Sequence, residues 1–338
     1  MTTQVSKQIQ LASRPEGWPT EENFSTVTVD LPDLSDGEVR VKNQFMSVDP
    51  YMRGRMSAGK SYVAPFEVGE TMTGGAVGKV IESRSDDLPE GSLVLHQLGW
   101  RDVAQAPADQ FNRVSETPGV PASLYLGMLG LTGLTAYVGL TQVAKFKKGD
   151  VVFVSGAAGA VGSAVGQIAQ LLGASKVIGS AGSDEKTELL EKKYGYDVAL
   201  NYKAAPIREQ LPKAAPEGID VYFDNVGGDH LEAAIDVLNR YGRAALCGAI
   251  SQYNATEATP GPDNMANFVK QSLAFKGFIV GDYMEYAGEF QEKMSNWLQD
   301  GRIQYDETVV DGLDNATDAF ISMMEGANKG KMVVRIEE

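Results

Sequence analysis

The stretch Val151-Val-Phe-Val-Ser155-Gly156-Ala-Ala-Gly159-Ala-Val-Gly162 joins an apolar run to a glycine-rich turn, and SAVGQIAQLLGA (163–174) follows directly. β-Branched and aromatic residues at 151–154 read as a buried strand. Beyond the turn, Val165, Ile168, Ala169 and Leu172 fall on one helical face, and Gly173 stops the helix. A strand, a tight turn and a helix N-terminus in this order make an anion site. Gly156 lets the chain reverse, Gly159 admits close approach of a pyrophosphate, and Ala160 and Val161 open the helix whose first N–H groups are donors. Gly162 lets that helix pack against the strand. Such a turn by itself often serves only backbone geometry. Here the flanking order and the units downstream point to dinucleotide binding.

Outward from this stretch, apolar strands alternate with helical segments, the pattern of a parallel βαβ sheet. The expected strands are VVFVSG (151–156), KVIGSA (176–181), VALNY (198–202), DVYFDNV (220–226), RAALCGAI (243–250) and KGFIV (276–280). Upstream, FSTVTVDL, EVRVKNQFMSV, GGAVGKVIES and GSLVLHQLGW are short β-type stretches separated by Gly, Pro and Asp, which fit a small, partly closed β-structure. At the far end KMVVRIEE resumes a strand after the helical segment DNATDAFISMMEGA and is expected to return to the first domain. The expected division is 1–123 plus 298–338 for the β-rich domain and 124–297 for the α/β domain.

The second strand decides which dinucleotide. A site for NAD carries an acid at that strand end to accept from the ribose hydroxyls. Here the place is taken by Gly179-Ser-Ala-Gly-Ser183, with Lys186 one helical turn further on. Ser183 and Lys186 suit a 2′-phosphate, so NADPH is expected over NADH. Asp184 and Glu185 run against this reading unless they only complement the helix N-terminus. For Lys186 the plain alternative is a solvated surface lysine.

The formal net charge of −15 repels nucleic acid and anionic membrane, so neither is an expected partner. Apolar runs fall short of the roughly 20 residues that span a bilayer, and the N-terminus lacks an apolar leader, so a cytoplasmic location is expected. A single cysteine, Cys247, and two histidines, His96 and His230, cannot build a three-histidine or four-thiolate metal site, and no metal is expected. Cys247 reads as a buried thiol and His230 as a solvated helix cap.

The motifs SVDPYMRGRM (47–56), MLGLTGLTAYVGL (128–140), SGAAGAVGSAVGQIA (155–169), SAGSDEK (180–186), DNVGG (224–228) and CGAISQYNATE (247–257) stand in an order that resembles a known family. It is that of the zinc-independent medium-chain dehydrogenase/reductases, in the leukotriene/prostaglandin reductase and 2-alkenal reductase group. LASRPEGWPTEENF (11–24) and YNATEATPGPDN (253–264) bring the chain especially near bacterial NADPH-dependent curcumin reductases, and the resemblance covers nearly the whole chain. It implies a Rossmann doubly wound parallel sheet inserted into a GroES-like β-rich domain. Zinc-dependent relatives carry Gly-His-Glu where this chain reads Gly69-Glu70-Thr71. The resemblance further implies that Lys186 and Tyr202 hold the 2′-phosphate side of NADPH and that Asn225 lies by the nicotinamide ribose. Phe278, Ile279, Val280 and Asn328 would flank the nicotinamide. Family members are commonly homodimers, although no residue pattern here marks an interface.

The implied reaction is reduction of the C=C bond of an α,β-unsaturated ketone or aldehyde, with hydride passing to the β-carbon. Charge then develops on the carbonyl oxygen, which needs a hydrogen-bond donor. Tyr253, just past an expected parallel strand, Tyr51 in the VDPYMRG motif that faces the cleft in relatives, and the cofactor ribose are the candidates. Either tyrosine could instead only pack. Arg53 and Arg55 could reach a pyrophosphate or pair with carboxylates. The competing readings are a zinc-free NADPH quinone oxidoreductase and a non-catalytic NADPH-binding protein.

Overall fold

The computed structural model describes residues 4–114 and 119–336. They form two compact units. One comprises the described residues up to Leu126, then Glu307–Asn328 and the chain from Met332 onward; the other comprises Gly127–Asp306 and Lys329–Lys331.

In the first unit β1 (Gln4–Leu11) pairs antiparallel with β2 (Phe24–Leu31). Next come β3 (Glu38–Ser47), α1 (Tyr51–Arg55), β4 (Ala76–Ser83), β5 (Leu93–His96), β6 (Val103–Pro107) and β7 (Asn112–Arg113). Strand β3 lies between β4 and β6, antiparallel to both. Its inward Val39 and Val41 join Val80, Val94, Ala104 and Phe111 in an apolar core, where removal of side chains from water supplies the driving force.

The second unit contains α2 (Leu131–Val138), β8 (Val151–Val154), α3 (Ala160–Leu171), β9 (Lys176–Ala181), α4 (Asp184–Lys192) and β10 (Val198–Asn201). It continues through α5 (Ile207–Ala214), β11 (Ile219–Asp224), α6 (Gly228–Val237), β12 (Leu238–Leu246), α7 (Ala266–Gln271), β13 (Ala274–Gly277) and α8 (Ala287–Gln299). The strand order is β10-β9-β8-β11-β12-β13, and every pairing is parallel. The chain moves outward from β8 in one direction and from β11 in the other, so the topological switch lies between these two strands. Ligands of such sheets bind at the carboxyl ends of the strands beside that switch. Phe153 and Tyr222 stack at 5.2 Å on one side of the sheet, within a cluster that includes Ile178, Leu211 and Ile219.

The chain re-enters the first unit with β14 (Glu307–Asp311), α9 (Ala316–Met324) and β15 (Lys331–Arg335), and β15 pairs antiparallel with β3 through Val333 opposite Ser47. The tail thus returns as the sequence suggests; Glu337 and Glu338 of KMVVRIEE lie outside the described residues. The second unit extends past the expected boundary at 297 to Asp306 because α8 and the segment after it are tied to that unit. Phe290 packs on Tyr137 at 6.1 Å, Gln291 donates to the Leu129 carbonyl at 2.6 Å, and the Gln167 side chain bonds the backbone of Gln304. Among the described residues no helix is long and apolar enough to cross a membrane.

Candidate active site

The phosphate loop takes the shape its glycines allow. Gly156 turns with φ +59°, a left-handed conformation that a side chain resists. A Cβ on Gly162 would sit 2.4 Å from the Gly156 carbonyl oxygen, so α3 can lie on the turn only without one. Gly159 is different. Its φ of −84° suits any residue, and a Cβ there would meet only the Gly156 oxygen at 3.4 Å. Among the described residues nothing demands glycine at 159, as expected where the space belongs to a ligand. Gly159 also caps α3 without a side-chain bond, so the first helical residues, Ala160 and Val161, follow directly on the loop.

At the carboxyl end of β11 the turn Asp224-Asn-Val-Gly-Gly228 is locked to this loop. The buried Asp224 carboxylate accepts from Ser155 Oγ (3.1 Å), the Tyr222 hydroxyl (2.7 Å) and the amides of Val226 (2.9 Å) and Gly227 (2.8 Å). Burial raises its pKa, and these bonds oppose the rise. Asn225 is held in turn, its amide N–H donating to Ser155 Oγ at 3.0 Å and its side chain to the Ser155 carbonyl at 2.8 Å. Tyr253 follows β12 on a short 3₁₀ turn (Ile250–Gln252). Its half-buried hydroxyl oxygen accepts the Ala249 N–H at 3.3 Å and lies 3.0 Å from the place a Gly248 Cβ would take. Burial raises the phenol pKa, with the Ala249 bond opposing, so the group is a protonated donor at neutral pH. Just beyond β13, Phe278 meets Phe223 and Tyr283 edge to face at 6.3 and 6.1 Å, followed by Ile279 and Val280.

The end of β9 carries no acid. Ser183 is the N-cap of α4, accepting the Lys186 N–H at 3.3 Å, which leaves its hydroxyl hydrogen to donate. Lys186 is half-buried. Burial, then Lys203 and Lys329, pull its pKa below the ordinary lysine value. The Tyr202 hydroxyl lies 2.8 Å from the position of a Gly182 Cβ, and its ring rests edge-on against His230 at 5.1 Å. His230 is therefore no solvated cap. It is 5% exposed beneath Tyr202, its Nε2 has no hydrogen-bond partner among the described residues, and burial pushes its pKa down to about 4. Ser155, Asp224, Lys203 and Lys329 also stand here, though none was expected from the sequence. Asp224 alone carried a signal, as the acid that opens DNVGG.

Tyr51, Arg53, Arg55 and Asn328 belong to the first unit. Burial, with Asp49, raises the Tyr51 pKa, and Arg55 opposes this by its charge and a hydrogen bond. Arg55 also bonds the Ala64 carbonyl at 2.9 Å and Thr73 Oγ1 at 3.0 Å and lies 4.0 Å over the Phe66 ring. Arg53 donates to the Gly17 carbonyl at 2.7 Å, fixing a loop. Asn328 stands immediately before Lys329.

Two family profiles match, one described as the N-terminal domain of oxidoreductase (residues 7–114) and one as zinc-binding dehydrogenase (residues 160–300). The chain is 42% identical to the NADPH-dependent curcumin reductase of Escherichia coli, over 96% of this chain and 95% of that one. It is 44% identical to prostaglandin reductase 1 of Sus scrofa, over 94% and 95%. The crystal structure of CurA in complex with NADPH from Vibrio vulnificus superposes with a TM-score of 0.93 at 44% identity, covering 98% of this chain and 99% of that one. This chain is a medium-chain dehydrogenase/reductase of the curcumin and prostaglandin reductase group. The zinc in one profile's description does not fit the residues this reductase presents. Among the described residues no group of three or more His, Cys, Asp or Glu side chains could hold a metal ion. His96 is committed on both nitrogens, to Asn43 Oδ1 at 2.9 Å and the Leu98 N–H at 3.1 Å. Cys247 is half-buried beside Asp224, and desolvation pushes its thiol up to about 12.

Proposed function

We propose that this reductase saturates the C=C bond of α,β-unsaturated ketones and aldehydes. NADPH, when bound, would supply the hydride that the β-carbon receives, and a proton taken up from solvent at the α-carbon completes the saturated product. The observation that carries this reading is the likeness over nearly the full chain to a curcumin reductase and a prostaglandin reductase. The acid-free end of β9 supports NADPH over NADH. The loop Gly156–Gly162 and the start of α3 would hold the pyrophosphate, and Ser183, Lys186 and Tyr202 the 2′-phosphate. Asn225 would meet the nicotinamide ribose, and Phe278, Ile279 and Val280 the nicotinamide. Tyr253 donates to the oxygen on which enolate charge develops. A donor already fixed by the Ala249 N–H needs little reorganisation as that charge grows. Tyr51 and Asn328 belong to the first unit, and their roles as alternative donor and nicotinamide contact rest on the resemblance alone.

A homodimer and a cytoplasmic location complete the proposal. Strand β13 is an edge of its sheet, and Val269 (85% exposed) and Met265 (53%) stand exposed on the segment leading into it. An open edge with apolar neighbours is suited to pairing with a second copy. Light scattering on the purified chain tests this, and a monomer would count against it. Activity in the soluble fraction of lysed cells tests the location. The test of function is a panel of enals, enones and quinones, each with NADPH and with NADH. Oxidation of NADPH with enones supports the reading; oxidation with quinones alone rejects it.

A further inference from the structure

Three lysines from separate parts of the second unit gather at the end of β9. Lys203 follows Tyr202 in a turn fixed to the start of α4: its N–H bonds Asn201 Oδ1 at 3.0 Å, and the Asn201 side chain donates to Asp184 at 2.7 Å. Its Cε lies 3.3 Å from where a Gly182 Cβ would be, beside the Tyr202 hydroxyl at the same spot. Lys329 arrives from the far end of the sequence. The next residue, Gly330, donates its N–H to the Ala158 carbonyl at 2.8 Å and bridges to Gly159, which seats Lys329 beside the phosphate loop. The Lys329 ammonium forms an ion pair with Glu185. Lys186, the residue after Glu185, feels both other lysines as repulsive.

Three ammoniums around one turn, with Asp184 engaged by Asn201 and Glu185 by Lys329, form a positive cluster in a chain of net charge −15. Like charges held together are unfavourable until an anion joins them. We propose that Lys203 and Lys329 complete the 2′-phosphate site that Lys186 begins, and that Glu185 is its resident counter-anion, holding Lys329 until a phosphate displaces it. This rests on the NADPH reading above.

Calorimetric titration of the full chain with NADPH, NADH and adenosine 2′-monophosphate tests it. The variants are Lys186→Met, Lys203→Met, Lys329→Met and Glu185→Gln; methionine keeps the aliphatic stem and removes the charge. Lys203→Met and Lys329→Met should each weaken NADPH and the 2′-monophosphate by about tenfold, the loss of one charge-assisted bond, and leave NADH within about twofold. Glu185→Gln should tighten both phosphate-bearing ligands. If Lys186→Met weakens them while Lys203→Met and Lys329→Met do not, the inference is wrong and the NADPH reading stands. If none of the three discriminates NADPH from NADH, the cofactor reading fails and this inference with it. Weaker NADPH binding by Glu185→Gln would overturn its role as counter-anion.

Discussion

The N–H of Gly330 donates to the carbonyl oxygen of Ala158 at 2.8 Å, attaching a turn near the end of the chain to the loop proposed to hold the pyrophosphate. Gly330 has φ +60°, and a Cβ there would sit 1.9 Å from the Asp306 carbonyl oxygen. Gly330→Ala must therefore displace the turn and Lys329 with it. A stability loss of about 2 kcal/mol or more is expected from strain of this kind, read as a lower urea midpoint. NADPH affinity, read by nucleotide fluorescence, should fall as well. A variant with lowered stability and unchanged NADPH affinity would show that the turn has no part in cofactor binding.

Tyr253→Phe removes one hydroxyl and keeps the ring. With Tyr253 as the proposed donor to the substrate oxygen, a bond that strengthens as charge develops, the loss should fall on kcat rather than on substrate binding. Loss of one such donor typically lowers turnover by about 10²–10³-fold. A reduction of about tenfold or more is expected here, smaller than that range if the cofactor ribose hydroxyl is a second donor. NADPH affinity should be unchanged. Full turnover by the variant on enones would remove Tyr253 from the chemistry.

Both histidines are neutral in the fold. Burial lowers His96 to about 3, with Arg101 adding to it, and His230 to about 4, against 6.5 for the unfolded residue. At these two residues the unfolded chain therefore binds more protons than the folded one from about pH 6.5 down to the folded values. Stability from these residues is present above that value and is lost as pH falls through about 4 for His230 and 3 for His96. Each contributes a slope of up to about 1.4 kcal/mol per pH unit within its window. His230→Phe, which keeps a ring against Tyr202, should flatten the curve of unfolding free energy between pH 6.5 and 4. An unaltered slope would mean that His230 titrates normally in the fold.

Dialysis against a chelator should leave enone reduction unchanged, since His96 is held by Asn43 and Leu98 and Cys247 stays a thiol. Activity lost to the chelator and restored by zinc would contradict this.

The parallel sheet was legible where burial made continuous apolar runs. KVIGSA is β9 from Lys176 to Ala181, and the glycine turn follows β8 as its order suggests. Strand limits blurred where sheet residues face solvent. β12 begins at Leu238, ahead of the expected Arg243, through polar Asn239 and Arg240 and a left-handed Tyr241 with φ +66°. β13 ends at Gly277, short of the expected Val280, because an edge strand has little buried pattern to read. At the candidate site, Ser183 and Lys186 could be read from their distance beyond the loop. Lys203, Lys329 and the burial of His230 could not, because each depends on partners distant in sequence.

Hydride delivery to the β-carbon of a conjugated carbonyl compound is the step on which the proposed function turns. The most direct measurement is NMR of the product formed from an enone and NADPH dideuterated at C4 of the nicotinamide. The expected product is a saturated ketone with deuterium at the β-carbon and the carbonyl intact. An allylic alcohol with deuterium on the former carbonyl carbon, or no transfer of label to any enone, would contradict it.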